Sequence, residues 1–263
     1  MANVTYERRG AAAVLAIDRP ERRNAVDAAT AEELLDGFRA FEADQDARAL
    51  ILTGAGEEAF CAGADLKAIA EADPEAAAEA GERLAVRPEG PMGFTRLTAS
   101  KPTIAAISGW CLAGGLELAL WCDLRIAAET ARLGFPERRF GVPLIDGGTV
   151  RLPRIVGMGR AMDLILTGRI IEAREALAWG LVNEVVESGR HLERALEIAE
   201  GLARFPQTTM LSDRRSAIES AGLGLADALA LEAELGRGSI ATGIRGAARF
   251  AAGEGRGGAG AGV

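Results

Sequence analysis

The feature that most constrains this chain is a rhythm of short apolar runs, each stopped by glycine or an acidic residue and each followed by helical spacing. Residues 12–18, 49–53, 103–108 and 124–127 are runs of this kind, with the length and composition of strands buried on both faces. Residues 4–8 and 12–18, separated by Gly10, read as a β-hairpin. Leu34, Leu35, Phe38 and Phe41 recur at helical spacing within residues 31–43, with Asp27 and Thr30 both available as caps. The strand at 49–53 stops at Gly54-Ala55-Gly56, and residues 59–65 read as a loop with an apolar centre. An Ala/Glu-rich helical stretch follows. Residues 109–115 read as a turn, 116–122 as a short buried helix and 124–127 as a further strand. From Pro153 the pattern is mostly helical, interrupted by a strand at 181–186. Alternating strands and helices predict an α/β architecture. The expected organisation is a core over residues 1–195, a helical C-terminal region over 196–250 that packs on the core or on a neighbouring subunit, and a Gly/Ala-rich disordered tail over 251–263.

Composition excludes several classes of function. With 263 residues, 49% of them hydrophobic, a full core needs no metal or disulfide. A net charge of −8 argues against a nucleic-acid partner. The first apolar run is too short to cross a bilayer, and no secretion signal is apparent, so a cytoplasmic protein is expected. Cys61, Cys111 and Cys122 are odd in number and form no CxxC pair, which points to small buried hydrophobes. His191 is the sole histidine and looks exposed at a helix start beside Gly189 and Arg190. That leaves little room for a Ser–His–Asp triad and none for a His-based zinc site. Gly253, Gly255 and Gly258 satisfy GxGxxG, but with no preceding strand the match is compositional. Catalysis must therefore use carboxylates, backbone groups or a thiol.

The stretch from Ser108 to Glu117 is the most informative. A strand runs into a glycine-bearing turn, and a helix begins near Gly114-Gly115. Free N–H groups at such a helix start can hold a developing oxyanion, although a tight helix start packed on a strand would look the same. Glu117 lies in an otherwise apolar run and must be capped, paired or functional; a capping glutamate is the structural alternative. Glu137 follows Pro136 and is either functional or an exposed first-turn acid.

Here a resemblance becomes specific. Phe60-Cys61-Ala62-Gly63-Ala64-Asp65-Leu66-Lys67 and Gly109-Trp110-Cys111-Leu112-Ala113-Gly114-Gly115-Leu116-Glu117 resemble the two signature segments of the enoyl-CoA hydratase/isomerase (crotonase) family. Arg19-Pro20 with Asn24-Ala25, Leu133-Gly134-Phe135-Pro136-Glu137, Thr167-Gly168-Arg169 and residues 176–183 are similar to further motifs, in order, across most of residues 4–250. The resemblance implies an α/β crotonase-type spiral of ββα turns with a helical C-terminal trimerisation region, assembled as trimers or dimers of trimers. It implies an acyl-CoA thioester substrate, an activity in fatty-acid metabolism, no metal, and no cofactor beyond the coenzyme A of the substrate. The N–H groups of Ala64 and Gly114 would form the oxyanion hole. Ala62 with Ala64, Asp65, Leu66 and Lys67 would border the coenzyme A, and Arg22 and Arg23 would meet its phosphates. Glu117 would orient and deprotonate water while Glu137 protonates Cα, which requires environments that separate the two acids. Gly141 and Asp146 belong to the loop at the acyl end. There the chain departs from typical hydratases, carrying Leu144-Ile145-Asp146 where they have Pro-Gly-Ala. Asp146 is either a third catalytic carboxylate or, the preferred reading, the cap of an Asp-Gly turn. Hydration is the expected reaction. Isomerisation, thioester hydrolysis, dehalogenation, decarboxylation or a non-catalytic binding role are the alternatives.

Overall fold

A computed structural model describes residues 2–71 and 73–254. The hairpin forms as Val4–Arg9 (β1) and Ala12–Ile17 (β2), with Tyr6 opposite Leu15. Ala49–Gly54 (β3), Thr103–Ile107 (β5), Leu124–Ala128 (β7) and Glu184–Val186 (β10) extend it, all parallel, in the order β1-β2-β3-β5-β7-β10. Every residue of β3 and β5 is buried, as expected for central parallel strands covered on both faces.

A second sheet runs beside the first. Ala59–Cys61 (β4), Trp110–Leu112 (β6), Arg132–Gly134 (β8) and Ile170–Glu172 (β9) pair in that order, with β9 antiparallel to β8. The sequence reading takes β4 for a loop and β6 for part of a turn, and it reads no strand at β8 or β9. Strands of three residues are too short to display an alternation. Three of the large-sheet strands are each followed by a small-sheet strand and then an α-helix: β3, β4 and Leu66–Glu71 (α2); β5, β6 and Gly114–Trp121 (α4); β7, β8 and Gly148–Val156 (α5). This repetition is the ββα spiral.

Ala28–Ala43 (α1) packs Leu34, Leu35, Phe38 and Phe41 inward, and Asp27, not Thr30, is its cap, accepting from Thr30 N at 2.8 Å. Phe38, Phe94 and Trp121 form an aromatic cluster with centroids 4.6–5.8 Å apart, and Trp121 Nε1 donates to Leu97 O. Helix α4 begins at Gly114, two residues earlier than its apolar run suggests, and α5 begins at Gly148, upstream of Pro153. The three cysteines are free and buried, and burial pushes the Cys61 thiol up to about 12.

His191 corrects the sequence reading. It opens His191–Ala203 (α8) but is buried, and its Nδ1 has no hydrogen-bond partner among the described residues. Burial also lowers its pKa, because a neutral ring is the cheaper form in an apolar setting.

Pro74–Ala85 (α3), Met158–Thr167 (α6) and Ala173–Trp179 (α7) complete the first of two compact units, which ends at Ala199. In the second unit, Gln207–Glu219 (α9) contacts Leu225–Arg237 (α10) and Ile240–Ala251 (α11), and Ser239 Oγ donates to Thr208 O. Among its described residues, Ser239 is the sole buried one, while Leu225, Leu229, Ile240, Ile244 and Phe250 are exposed. Of residues 251–263, expected as a tail, Ala251 is the last residue of α11 and residues 255–263 lie outside the described residues. Gly255 and Gly258 of the GxGxxG match lie outside the described residues. Among those residues, no helix is long and apolar enough to cross a membrane.

Candidate active site

The site assembles where β4 and β6 of the small sheet deliver the chain to α2 and α4. Val26 N donates to Gly63 O at 2.8 Å and Asp65 N donates to Val26 O at 2.9 Å. These two bonds straddle Ala64 and leave its own N–H without an acceptor among the described residues. Gly114 is the first residue of α4, so its N–H has no partner within the helix. The two segments lie against each other: an ideal Cβ on Gly63 would stand 3.0 Å from Gly114 N.

Close approach fixes this arrangement. A Cβ on Gly115 would stand 2.1 Å from Cys61 O, so the end of β4 and the start of α4 meet without room for a side chain. Ala113, just before the helix, is held at φ 52°, a region that side-chain-bearing residues rarely adopt. Its N–H donates to Gly134 O of β8 at 3.0 Å, so pairing in the small sheet imposes the strained turn that aims α4.

Asp65 serves the same loop. Its Oδ2 meets Arg19 Nη2 at 3.1 Å and its Oδ1 accepts from Ala68 N at 3.1 Å. Arg19 also binds Asp27 Oδ2 at 2.9 Å and Ala25 O at 2.6 Å. With both oxygens engaged, Asp65 fixes the loop that carries Ala64.

Glu117 is buried on α4, yet it does not cap its own helix. Its Oε1 accepts from Asp146 N at 2.9 Å and Gly148 N at 2.7 Å, both at the approach to α5. Glu137 lies in the 3₁₀ turn Pro136–Phe140. It is also buried, not an exposed first-turn acid, and neither carboxylate oxygen has a partner among the described residues. Both acids are pushed up to about 7, in each case chiefly by burial. For Glu117 the charges of Asp146 and Glu137 add to the rise, against the two N–H groups. The environments therefore differ in hydrogen bonding and not in pKa: Glu117 is clamped, and Glu137 is bare.

Asp146 corrects its preferred reading. Its carboxylate does not cap the Asp-Gly turn; α5 starts after Gly147 with no side-chain cap. Instead, Oδ1 accepts from Met92 N at 3.0 Å and from the Thr95 hydroxyl, in the interior.

Of the other residues singled out by the sequence, Ala62 and Ala64 are half-buried and Leu66 and Lys67 exposed, along one edge of the site. Arg23 is exposed and pairs with Glu58 at 2.8 Å. Arg22 is half-buried at the end of the 3₁₀ turn Pro20–Arg22. Gly141, exposed with φ 75°, ends the turn that carries Glu137. The motif residue Arg169 is structural: it binds Asp163 and Glu175 and stacks on Trp179 at 5.0 Å. Sequence reasoning missed Thr95 and Met92 because no motif contains them; their importance comes from contacts across more than fifty positions.

A pair of free N–H groups with two buried carboxyls is an arrangement able to polarise a carbonyl and move protons next to it. Comparison with known proteins places the chain in a lineage. Residues 7–242 match the enoyl-CoA hydratase/isomerase family, and the chain belongs to that family. It is 39% identical to a short-chain-enoyl-CoA hydratase of Clostridium acetobutylicum over 88% of this chain and 87% of the relative. It is 40% identical to a carnitinyl-CoA dehydratase of Proteus mirabilis over 74% and 72% of the two chains. The crystal structure of an enoyl-CoA hydratase from Bacillus anthracis superposes with a TM-score of 0.83 at 36% identity, covering 90% of this chain and 91% of that one.

Proposed function

We propose that this protein is an enoyl-CoA hydratase, adding water across the 2,3 double bond of an enoyl-CoA thioester. The observation that carries the reading is the pair of buried acids, Glu117 and Glu137, both titrating near 7 beside two unclaimed backbone N–H groups. The relatives' names, a hydratase and a dehydratase of CoA thioesters, describe one reaction class in its two directions.

In the proposed mechanism the thioester oxygen accepts from Ala64 N–H and Gly114 N–H, each donor contributing on the order of 3 kcal/mol to the transition state. Polarisation leaves C3 electron-poor. Glu117, ionised and fixed by its two N–H donors, orients a water and removes its proton as oxygen bonds to C3. Negative charge passes to the thioester oxygen as an enolate. Glu137, whose bare oxygens favour the neutral acid, then gives its proton to C2. One proton held between two acids that titrate near 7 is the state this sequence requires. Arg22 and Arg23 approach the coenzyme A phosphates, while Ala62, Leu66 and Lys67 border its pantetheine arm.

The exposed apolar residues of α10 and α11 support a homo-oligomer, a trimer or a dimer of trimers, because a helical unit with so little buried of its own gains stability when a neighbour covers it. A place in cytoplasmic fatty-acid metabolism accords with this chemistry. Incubation with crotonyl-CoA in ¹⁸O-water tests the reaction. A 3-hydroxyacyl-CoA with label at C3 is expected; release of free coenzyme A thiol, or a moved double bond with no label, would overturn the assignment.

A further inference from the structure

Asp146 stands where two parts of the site meet. Its main-chain N–H donates to Glu117 Oε1 at 2.9 Å, while its carboxylate holds Met92 N at 3.0 Å and the Thr95 hydroxyl. Met92 in turn lies over the start of α4: an ideal Cβ on Gly114 would stand 2.9 Å from Met92 Sδ. Two arginines close the arrangement from behind. Arg151 donates to Asp146 O at 2.8 Å and also to Thr95 O, and Arg96 donates to Ile145 O at 3.0 Å. Residues 92–96 are thereby clasped to residues 145–148, with Asp146, among the described residues, the one bonded both to Glu117 and to the segment over Gly114.

We propose that Asp146 is a positioning residue that couples the Glu117 carboxyl to Met92, setting together the proposed base and the side chain that lies over Gly114, against which an acyl chain would pack. The role given to Glu117 rests on the hydratase reading; the clasp itself does not. An alanine at this position could make neither side-chain bond, so Leu144-Ile145-Asp146 ties this loop to residues 92–95 through contacts that Pro-Gly-Ala has no side chain to form.

The coupling has an electrostatic side. The charged groups facing Glu117 are Asp146, Glu137 and Arg151, and those facing Asp146 are Arg96, Arg151 and Glu117. The negative charge of Asp146 opposes ionisation of Glu117. Burial raises the pKa of Asp146 itself, while the Thr95 hydroxyl and Met92 N–H favour its ionised form.

Asp146→Asn tests this directly, because it keeps an acceptor for Met92 and Thr95 while removing the charge. Carboxyl titration by carbon-13 NMR of glutamate-labelled protein would follow Glu117, identified as the signal missing in Glu117→Gln. Its midpoint should fall by about one pH unit in D146N, and the low-pH limb of kcat/KM should move with it. Asp146→Ala should release Met92, raising KM about tenfold and altering the preference between short and long straight-chain enoyl-CoAs. Titration and rate profiles of D146N that superpose on wild type would overturn the proposal, as would wild-type KM values in D146A across chain lengths. The two readings fail separately. A wild type that hydrates nothing, with the Glu117 midpoint still falling in D146N, would sink the hydratase assignment and leave the coupling standing. A wild type that hydrates, with no shift in D146N, would do the reverse.

Discussion

Glu117 and Glu137 are alike in burial and unlike in hydrogen bonding. Burial raises both toward 7, yet only Glu117 is held by N–H donors. A clamped carboxylate is oriented for a water, whereas an unpartnered one is cheapest when protonated. The expected pH–rate profile is a bell centred near neutrality. Glu117→Gln should remove the acidic limb of its residual activity and Glu137→Gln the basic limb; identical limbs in both variants would show that other groups titrate. The thiols offer a contrasting prediction. Cys61 is buried with its pKa raised to about 12, so almost no thiolate forms at pH 8. Iodoacetamide should leave the native protein unmodified and active while alkylating it in denaturant. Rapid inactivation of native protein would contradict the burial described.

At the scale of elements, the site depends on two glycines with little room for a side chain: side chains crowd Gly148, and backbone crowds Gly115. A Cβ on Gly148 would stand 3.0 Å from Glu117 Oε1 and 3.1 Å from Phe135 Cζ. Gly148→Ala should therefore push Glu117 off its two donors, cutting kcat at least about tenfold and costing roughly 1–3 kcal/mol of stability by overpacking. Gly115→Ala should be worse, since Cys61 O at 2.1 Å is backbone and cannot give way. Wild-type kcat in G148A would show that the Glu117 clamp is not needed. These elements were unequally legible in the sequence. The large sheet and α1 were readable because their apolar runs are long enough to show a period. The strands β4, β6, β8 and β9 were not, since three residues carry no alternation, and each exists because its neighbour supplies hydrogen bonds. Glu117 stood out as an acid in an apolar run, and Gly114 as the first turn of a helix. The partners of Asp146 were invisible for another reason: contacts with Met92 and Thr95 join segments more than fifty residues apart, and no local pattern encodes them.

At the scale of the whole molecule, the two raised acids make stability depend on pH with a definite sign. Between the ordinary glutamate value of 4.5 and about 7, the folded protein holds more protons than the unfolded chain. Stability from these groups is fully present below the lower value and is lost as pH rises through the upper one. A rise from 4.5 to about 7 corresponds to on the order of 3 kcal/mol per carboxyl. Either Gln variant should consequently gain Tm relative to wild type between pH 5 and pH 8; a difference that stays constant with pH would contradict the raised values. Under the proposed mechanism Glu117 works in its less stable charged form, the usual opposition between function and stability at a site.

Hydration of an enoyl thioester by paired carboxylates is read out by loss of the enoyl-thioester absorbance with crotonyl-CoA and longer enoyl-CoAs, wild type beside Glu117→Gln and Glu137→Gln. Turnover by wild type that falls about 10²–10⁴-fold in each variant, with thioester binding retained, is the predicted result. Absence of turnover in wild type on any enoyl-CoA it binds, or variants that match wild type, would contradict it.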